Sequence, residues 1–182
     1  MLEEVTKKYD YFISQQNEKM RETFDKAVRD SLTGLYNREY LDEYSKQAFG
    51  RVARSESSLV LIFIDLDNFK QVNDNFGHNE GDRVLVEVSN IFKKSFRLYD
   101  IVVRYGGDEF IVLIEDKEHD TEALEMILQL LVTKIEKNLK TFGISASYGY
   151  AIAPAEAQDL ASLIELADKR MYAQKQAKKA MR

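Results

Sequence analysis

The sequence contains no cysteine and one proline, and it has no apolar run long enough to cross a bilayer. Without cysteine, the chain can form neither a disulfide framework nor a thiolate metal site. No signal-peptide pattern opens the sequence, so we expect no membrane segment and a cytoplasmic location. The net charge of −5 argues against a protein that coats DNA or RNA. A phosphorylated substrate remains compatible with that charge, provided that a cation and a few lysines or arginines bridge to it.

The chain has enough apolar sequence for one globular domain with an extension, since 45% of its 182 residues are hydrophobic and 31% are charged. Residues 1–29 lack proline and glycine, and apolar residues recur there at three- and four-residue spacing, which predicts one helix. That helix either packs on its own domain or forms a coiled-coil stalk that joins two copies. We favour the stalk, because so polar a helix has little else to pack on. Residues 30–182 are then the second domain.

The rest of the chain alternates between helical and strand patterns. Asn37 is placed to cap a helix that runs to about Ser55, and the continuous apolar run Ser58–Asp67 predicts a buried central strand. The further predictions are helices over 68–76, 83–96, 121–139 and 159–179, a loop over 77–82, a hairpin across residues 106 and 107, and a strand over 144–153. This order is typical of a mixed α/β (α+β) fold, and we expect the antiparallel hairpin at the centre of its sheet.

Two adjacent carboxylates follow a glycine pair in the stretch RYGGDEF. Gly106 and Gly107 are expected to supply positive φ angles for a tight turn and to let another molecule approach the backbone. Asp108 and Glu109 then lie where the hairpin emerges, and Asp65 ends the buried strand. If the two strands are neighbours, Asp65 faces one of these carboxylates at roughly 5 Å. Like charges so close need a cation between them, and oxygen-only ligands favour Mg²⁺.

A helix start follows the buried strand and adds features of an anion site. Asp67 is interpreted as the cap of that helix, whose free N–H groups and dipole favour an anion, and Lys70 adds a positive charge. Together with the metal ligands, these features describe a triphosphate site. Asn73 and Asp82 follow, and an amide with a carboxylate can read a guanine edge. Taken separately, the two residues are better explained as turn or cap groups.

These residues bring a resemblance into view. From about Asp30 to Lys179 the chain resembles the GGDEF domain of diguanylate cyclases, through DSLTGLYNR, DLDNFKQVNDNFGHNEGD, RYGGDEF and ADKRMYAQK in that order. The resemblance implies a palm-like nucleotidyl cyclase fold with a central, mostly antiparallel sheet surrounded by helices. It implies that two GTP molecules condense into cyclic di-GMP and release two pyrophosphates, with Mg²⁺ as cofactor and Mn²⁺ as a substitute. Each domain would bind one GTP, so the enzyme would work as a homodimer held by the N-terminal helix.

The resemblance also implies roles for particular residues. The metal ligands would be the side chains of Asp65, Asp108 and Glu109 and the backbone carbonyl of Leu66. The catalytic residues would be Lys70, Asp108 and Glu109. The substrate would be bound by Phe69, Lys70, Asn73, Asp82, Gly106, Gly107, Lys175 and Lys179. Lys179 stands where many members have an arginine, and it can meet a phosphate only as a point charge, which puts the strength of that contact in doubt.

Arg97 and Asp100 form an R-x-x-D pattern shortly before the glycine pair. Such a pair is most often a surface ion pair of little energetic value. Its position matches the family's inhibitory site for the product cyclic di-GMP, and we favour that role. The resemblance further implies an upstream sensor domain outside this sequence. Two other functions remain open: a non-catalytic receptor for GTP or cyclic di-GMP, and an oligomerisation module with a vestigial site.

Overall fold

The computed structural model describes residues 2–55, 57–116 and 120–181, with side chains from residue 6 onward. Arg182, the last residue of the predicted domain, lies outside the described residues. The helices are α1 (Leu2–Val28), α2 (Arg38–Val52), α3 (Phe69–Phe76), α4 (His78–Ser95), α5 (Thr121–Asn138) and α6 (Leu160–Ala180). The strands are β1 (Ser58–Asp67), β2 (Ile101–Gly106), β3 (Glu109–Asp116) and β4 (Ser145–Ala153), and a 3₁₀ turn at Lys140–Phe142 precedes β4.

The four strands form one antiparallel sheet in the order β2-β3-β1-β4. The mixed helix and antiparallel-sheet fold is therefore confirmed, with β1 as a central strand. The expectation that the hairpin lies at the centre of the sheet is wrong, because β2 forms one edge and only β3 is central. A hairpin fixes the pairing of its own two strands, whereas the position of β1 depends on contacts far apart in sequence.

Each face of the sheet carries its own hydrophobic core, because side chains alternate along every strand. On β1, Leu59, Leu61 and Phe63 pack with α2 and α6 on one face. Val60, Ile62 and Ile64 pack with α3, α4 and α5 on the other face. This double burial explains why β1 is apolar without interruption. It also means that Asp65 and Asp67 continue the β1 stripe that faces α6.

Local signals set several boundaries. Asn37 caps α2, as predicted, by accepting a hydrogen bond from the backbone N–H of Tyr40 at 3.0 Å. The predicted loop over 77–82 is wrong, since α4 already begins at His78. The break between α3 and α4 is the single residue Gly77, whose φ of +85° is readily reached only by glycine. The short acidic and glycine-containing stretch after Gly77 was therefore misread as a loop.

Helix α1 does not pack on its own domain along its described side chains. Residues 6–27 are exposed throughout. The large apolar side chains exposed on it include Tyr9, Phe12, Ile13, Met20 and Phe24. At 100° per residue these five fall on one side of the helix. Neither α1 nor any other helix in the described part of the chain is both long and apolar enough to span a membrane.

Candidate active site

The candidate site lies at the ends of the two central strands, β1 and β3, on the face of the sheet that α6 covers. β1 and β3 are neighbours, and Asp65 is the direct cross-strand partner of Glu109. The backbone N–H of Leu66 donates to the carbonyl of Asp108 at 3.2 Å, which holds the second carboxylate residue at the same end of the sheet. Alternation along both strands places Asp65 and Glu109 on the face toward α6. The strand register therefore pairs Asp65 with Glu109, as the sequence predicts for neighbouring strands.

The carboxylates of this site repel one another in a partly buried setting. Burial raises the pKa of Asp65, and the neighbouring Asp108 and Asp67 carboxylates raise it further, against the lowering effect of Lys175. Burial likewise raises the pKa of Glu109, and the Asp65 and Asp108 charges add to the shift. Such a group of negative charges is stabilised when a cation lies among them.

The Lys175 ammonium places a positive charge beside these carboxylates by forming an ion pair with Asp65. With this arrangement, no three aspartate, glutamate or histidine side chains among the described residues converge closely enough to hold a metal ion. The candidate donors at the site are all oxygens, the ligands preferred by hard divalent cations such as Mg²⁺. The donor chemistry therefore fits a divalent cation, and the Lys175 ammonium stands in for the positive charge beside Asp65.

The hairpin turn owes its shape to Arg104 rather than to unusual glycine conformations. The positive φ angles predicted for Gly106 and Gly107 are wrong, since the positive-φ glycines in the described ranges are residues 34, 77 and 143. Arg104 donates to the Gly107 carbonyl at 2.9 and 3.1 Å and pairs with Asp30 at 3.1 Å. The strand register shifts between Arg104 and Gly106, and this irregularity accommodates the tight turn without positive φ angles. A Cβ at Gly107 would meet open space.

The start of α3 is not capped by Asp67, contrary to the sequence prediction. Asp67 instead accepts from Ser147 Oγ at 2.9 and 3.0 Å and pairs with Lys178 at 3.4 Å. Asn68 holds the N-cap position with a φ of +68° and makes no side-chain cap bond to the helix. Free backbone N–H groups at this end of the helix suit an anion. Lys70, in the first turn, is exposed.

Two predicted nucleotide readers lie at the junction of α3 and α4. A Cβ on Gly81 would be 2.0 Å from Asn73 Oδ1 and 3.3 Å from Phe69 Cζ. The Asn73 amide therefore lies against the backbone immediately before Asp82, in space that only glycine leaves open. Phe69 is buried and Asp82 is exposed. The structure thus brings Asn73, Phe69 and the Asp82 backbone into one small region.

One lysine on α6 was missed by the sequence analysis. Lys178 pairs with Asp67 and also donates to the Ala146 carbonyl, so it faces the end of β1 together with Lys175. Their three-residue spacing, which puts side chains on one side of a helix, was the available signal. Lys179, which had been assigned to the substrate, is exposed on α6.

Arg97 and Asp100 close a turn after α4. Asp100 Oδ2 accepts the backbone N–H of Arg97 at 2.7 Å, while Oδ1 is buried without a hydrogen-bond partner. Burial raises the pKa of this carboxyl. Both residues line a cavity of about 250 Å³ whose walls also include Phe96 and Ile127. Arg97 itself is exposed, with its guanidinium 5.9 Å from the centre of the Tyr99 ring.

Comparison with known proteins yields a consistent set of relatives. Residues 27–181 match the family described as diguanylate cyclase, GGDEF domain. The diguanylate cyclase DgcS of Shewanella oneidensis is 40% identical over 148 residues, which cover 80% of this chain and 49% of that protein. The diguanylate cyclase DosC of Escherichia coli K12 is 36% identical over 162 residues, which cover 84% of this chain and 35% of that protein. The chain therefore spans half or less of these two relatives.

The fold has close counterparts among solved structures. The coiled coil and GGDEF domain of DgcB from Caulobacter crescentus, solved in complex with c-di-GMP, superposes with a TM-score of 0.82 at 25% identity. That match covers 97% of this chain and 95% of the other. A GGDEF domain of PA1120 from Pseudomonas aeruginosa matches with a TM-score of 0.70 at 32% identity, over 82% of this chain and 89% of the other.

Proposed function

Because the chain belongs to the GGDEF-domain family of diguanylate cyclases, we propose that it condenses two molecules of GTP into cyclic di-GMP and releases two pyrophosphates. In each half of the reaction, the 3′-hydroxyl of one GTP attacks the α-phosphate of the other. A new phosphorus–oxygen bond forms, the bond to pyrophosphate breaks, and the hydroxyl proton is lost. The observation that carries the proposal is the pairing of Asp65 with Glu109 at the ends of the two central strands.

The proposed metal ligands are Asp65, Asp108, Glu109 and the Leu66 carbonyl. When bound, Mg²⁺, or Mn²⁺ in its place, supplies charge neutralisation at the phosphates and a lower pKa for the attacking hydroxyl. The carboxylates would hold the cation and would orient the hydroxyl toward the phosphate. Their mutual repulsion in a partly buried site supports this role, because it makes the site selective for positive charge.

The nucleotide is proposed to lie across the start of α3 and the hairpin turn. The open N–H groups of α3 and the exposed Lys70 would bind the triphosphate, with Lys70 also stabilising charge in the transition state. Gly106 and Gly107 would let the nucleotide approach the turn. Asn73 and Asp82 would read the guanine, and Phe69 would belong with Lys70 to the phosphate-binding turn. Lys175 and Lys179 would contact phosphate from α6, and Lys178 is a further candidate for that contact.

The enzyme is proposed to work as a homodimer, since each site would hold one of the two reacting nucleotides. The exposed apolar side of α1 supports a stalk formed by residues 1–29, with residues 30–182 as the catalytic domain. The coiled coil named for the similar DgcB structure supports the same arrangement. An upstream sensor domain, which the family resemblance implies, is also proposed, and the greater length of the relatives leaves room for one.

Cyclic di-GMP is proposed to inhibit the enzyme through Arg97 and Asp100. Arg97 is exposed, so its guanidinium would be able to donate two parallel hydrogen bonds to a phosphate or a guanine. Asp100 lines the adjoining cavity, and its Oδ1 is buried there without a hydrogen-bond partner, so it would gain a hydrogen bond from a base that reached it. The c-di-GMP complexes of related GGDEF domains support a product site in this family.

The proposal is tested by removing bound nucleotide from the purified protein with a phosphodiesterase and then adding GTP and Mg²⁺. Cyclic di-GMP, followed by chromatography, is expected to form, and its rate per protein molecule is expected to fall once dilution separates the dimer, because two copies must meet. Absence of cyclic di-GMP at all protein concentrations would overturn the cyclase proposal. If cyclic di-GMP still bound in an Arg97-dependent way, the receptor function would replace it.

Replacing Gly81 by alanine is expected to weaken GTP binding. The new Cβ would displace the Asn73 amide from its position against the backbone. Loss of one guanine contact is expected to raise the GTP KM by about tenfold and to leave kcat within about twofold. Steady-state kinetics with GTP measure this effect, and Gly50→Ala in α2, where an added Cβ meets no atom, is the matched control. A KM equal to that of the control would contradict the guanine-site assignment.

A further inference from the structure

Helix α6 lies along the open edge of β4. In an antiparallel pair, both backbone groups of every second residue point away from the partner strand. β4 is an edge strand, so these groups would otherwise face solvent. Three α6 side chains at four-residue spacing bind three of them. The pairs are Arg170 with the Tyr150 carbonyl at 2.7 Å, Gln174 with the Tyr148 N–H at 2.8 Å, and Lys178 with the Ala146 carbonyl at 2.5 Å.

The backbone of α6 also rests directly on β4. A Cβ added to Gly149 would lie 2.3 Å from the Ala167 carbonyl oxygen and 2.3 Å from the Met171 nitrogen, with Arg170 Cβ at 2.7 Å. The first two are main-chain atoms, so they cannot move aside without moving the helix. Glycine at position 149 therefore sets how closely α6 can approach the sheet.

The position of α6 on the sheet determines where Lys175 lies. Leu163, Ala167 and Met171 form the buried stripe of α6, and Lys175 is the next residue on it, one turn further. Asp65 in turn continues the stripe of β1 that faces this helix. Where the two stripes leave the apolar core, the Lys175 ammonium meets the Asp65 carboxylate. A displacement of α6 would therefore move Lys175 relative to Asp65.

We propose that Gly149 and the edge-binding side chains Arg170, Gln174 and Lys178 are positioning residues that hold Lys175 at Asp65. Gly149 sets the distance between α6 and the sheet, and the side-chain contacts set the position of the helix along β4. The consequence for catalysis, that Lys175 is held ready for the nucleotide phosphates, rests on the proposed function. The placement of Lys175 itself does not.

The placement is tested by limited acetylation of the metal-free, nucleotide-free protein, with the modification of each lysine followed by mass spectrometry. In the wild-type protein Lys175 is shielded by its ion pair, whereas Lys179 is exposed and serves as the internal control. Gly149→Ala is expected to speed acetylation of Lys175 by about fivefold and that of Lys179 by less than about twofold. Circular dichroism verifies that the variant keeps its helix content.

Gln174→Leu provides a second variant that removes one edge contact without a steric clash. It is expected to speed Lys175 acetylation by about twofold or more, while Gln176→Leu, at an exposed position on the same helix, changes nothing. If acetylation of Lys175 stays at its wild-type rate in both Gly149→Ala and Gln174→Leu, the positioning proposal is overturned.

A double-mutant cycle connects the placement to catalysis. Gly149→Ala is expected to lower kcat/KM for GTP by about tenfold in the wild-type background and by less than about twofold when Lys175 is replaced by methionine. Equal losses in the two backgrounds would mean that Gly149 acts on the fold in general and would overturn the proposal. Absence of cyclic di-GMP from the wild-type protein would overturn the proposed function instead, and the acetylation result would still decide the placement.

Discussion

Replacing Glu109 by glutamine is expected to lower the rate of cyclic di-GMP formation by about 10²- to 10³-fold. The substitution keeps the volume of the side chain and removes its charge. Glu109 faces Asp65 across the two central strands, and the proposed metal site needs the charge of both. A neutral ligand at position 109 would lower the affinity for the cation. The charge on the phosphates would then be less stabilised in the transition state.

The same substitution is expected to make the metal-free protein more stable, and this distinguishes a lost ligand from a damaged fold. Burial and the adjacent Asp65 and Asp108 charges raise the pKa of Glu109, so its ionised form is disfavoured in the folded state at neutral pH. Glutamine removes that repulsion, and the melting temperature should rise. Glu87→Gln, an exposed carboxylate on α4, is the matched control for both measurements. An active and unstable Glu109→Gln protein would contradict both the role and its physical basis.

Removal of residues 1–22 is expected to lower specific activity by about 10²-fold at nanomolar protein and to be compensated at high protein concentration. The proposed reaction requires two nucleotide-loaded domains to meet, and a stalk would convert their encounter into an intramolecular event. The shortened chain keeps Asp25 and Ala27, which bond to Arg29 and Asn37 at the start of the domain. The effect should therefore arise from lost association rather than from lost folding.

Single substitutions on α1 refine this test. Met20→Glu places a charge on the apolar side of the helix and is expected to reproduce most of the truncation effect, whereas Glu22→Gln on the opposite side should leave activity unchanged. Sedimentation at several concentrations measures the association directly. A truncated protein that stays dimeric and fully active at nanomolar concentration would show that α1 is not the proposed stalk.

The sequence predicted the carboxylate site because its signals are local. The uninterrupted apolar run of β1, with its β-branched residues, favoured a strand buried on both faces, and the glycine turn favoured a hairpin that pairs β2 with β3. Once β1 lies beside β3, the strand register brings Asp65 to Glu109. The expectation depended on one undetermined fact, the adjacency of these two strands, which the structure confirms.

The error at Asp67 came from partners that are distant in sequence, whereas the error at the glycine pair came from a neighbouring side chain and an irregular strand register. Asp67 precedes a helix start and so seemed to be its cap, but Ser147 and Lys178, 80 and 111 residues away, bind it instead. The glycine pair suggested positive φ angles, but the Arg104 guanidinium and a shift in strand register shape the turn. A residue's local surroundings favour one role, and a tertiary contact with better hydrogen bonds assigns another.

Both outer edges of the sheet are occupied within the described part of the chain. Beside β2, the Tyr36 N–H donates to the Val102 carbonyl at 3.1 Å, and the Arg104 N–H donates to the Tyr36 carbonyl at 2.9 Å. Beside β4, side chains of α6 bind three of the outward backbone groups. Neither edge therefore presents an open row of donors and acceptors on which a strand of a second copy could grow. In the proposed homodimer, two copies would therefore associate through side-chain surfaces and not by extending the sheet.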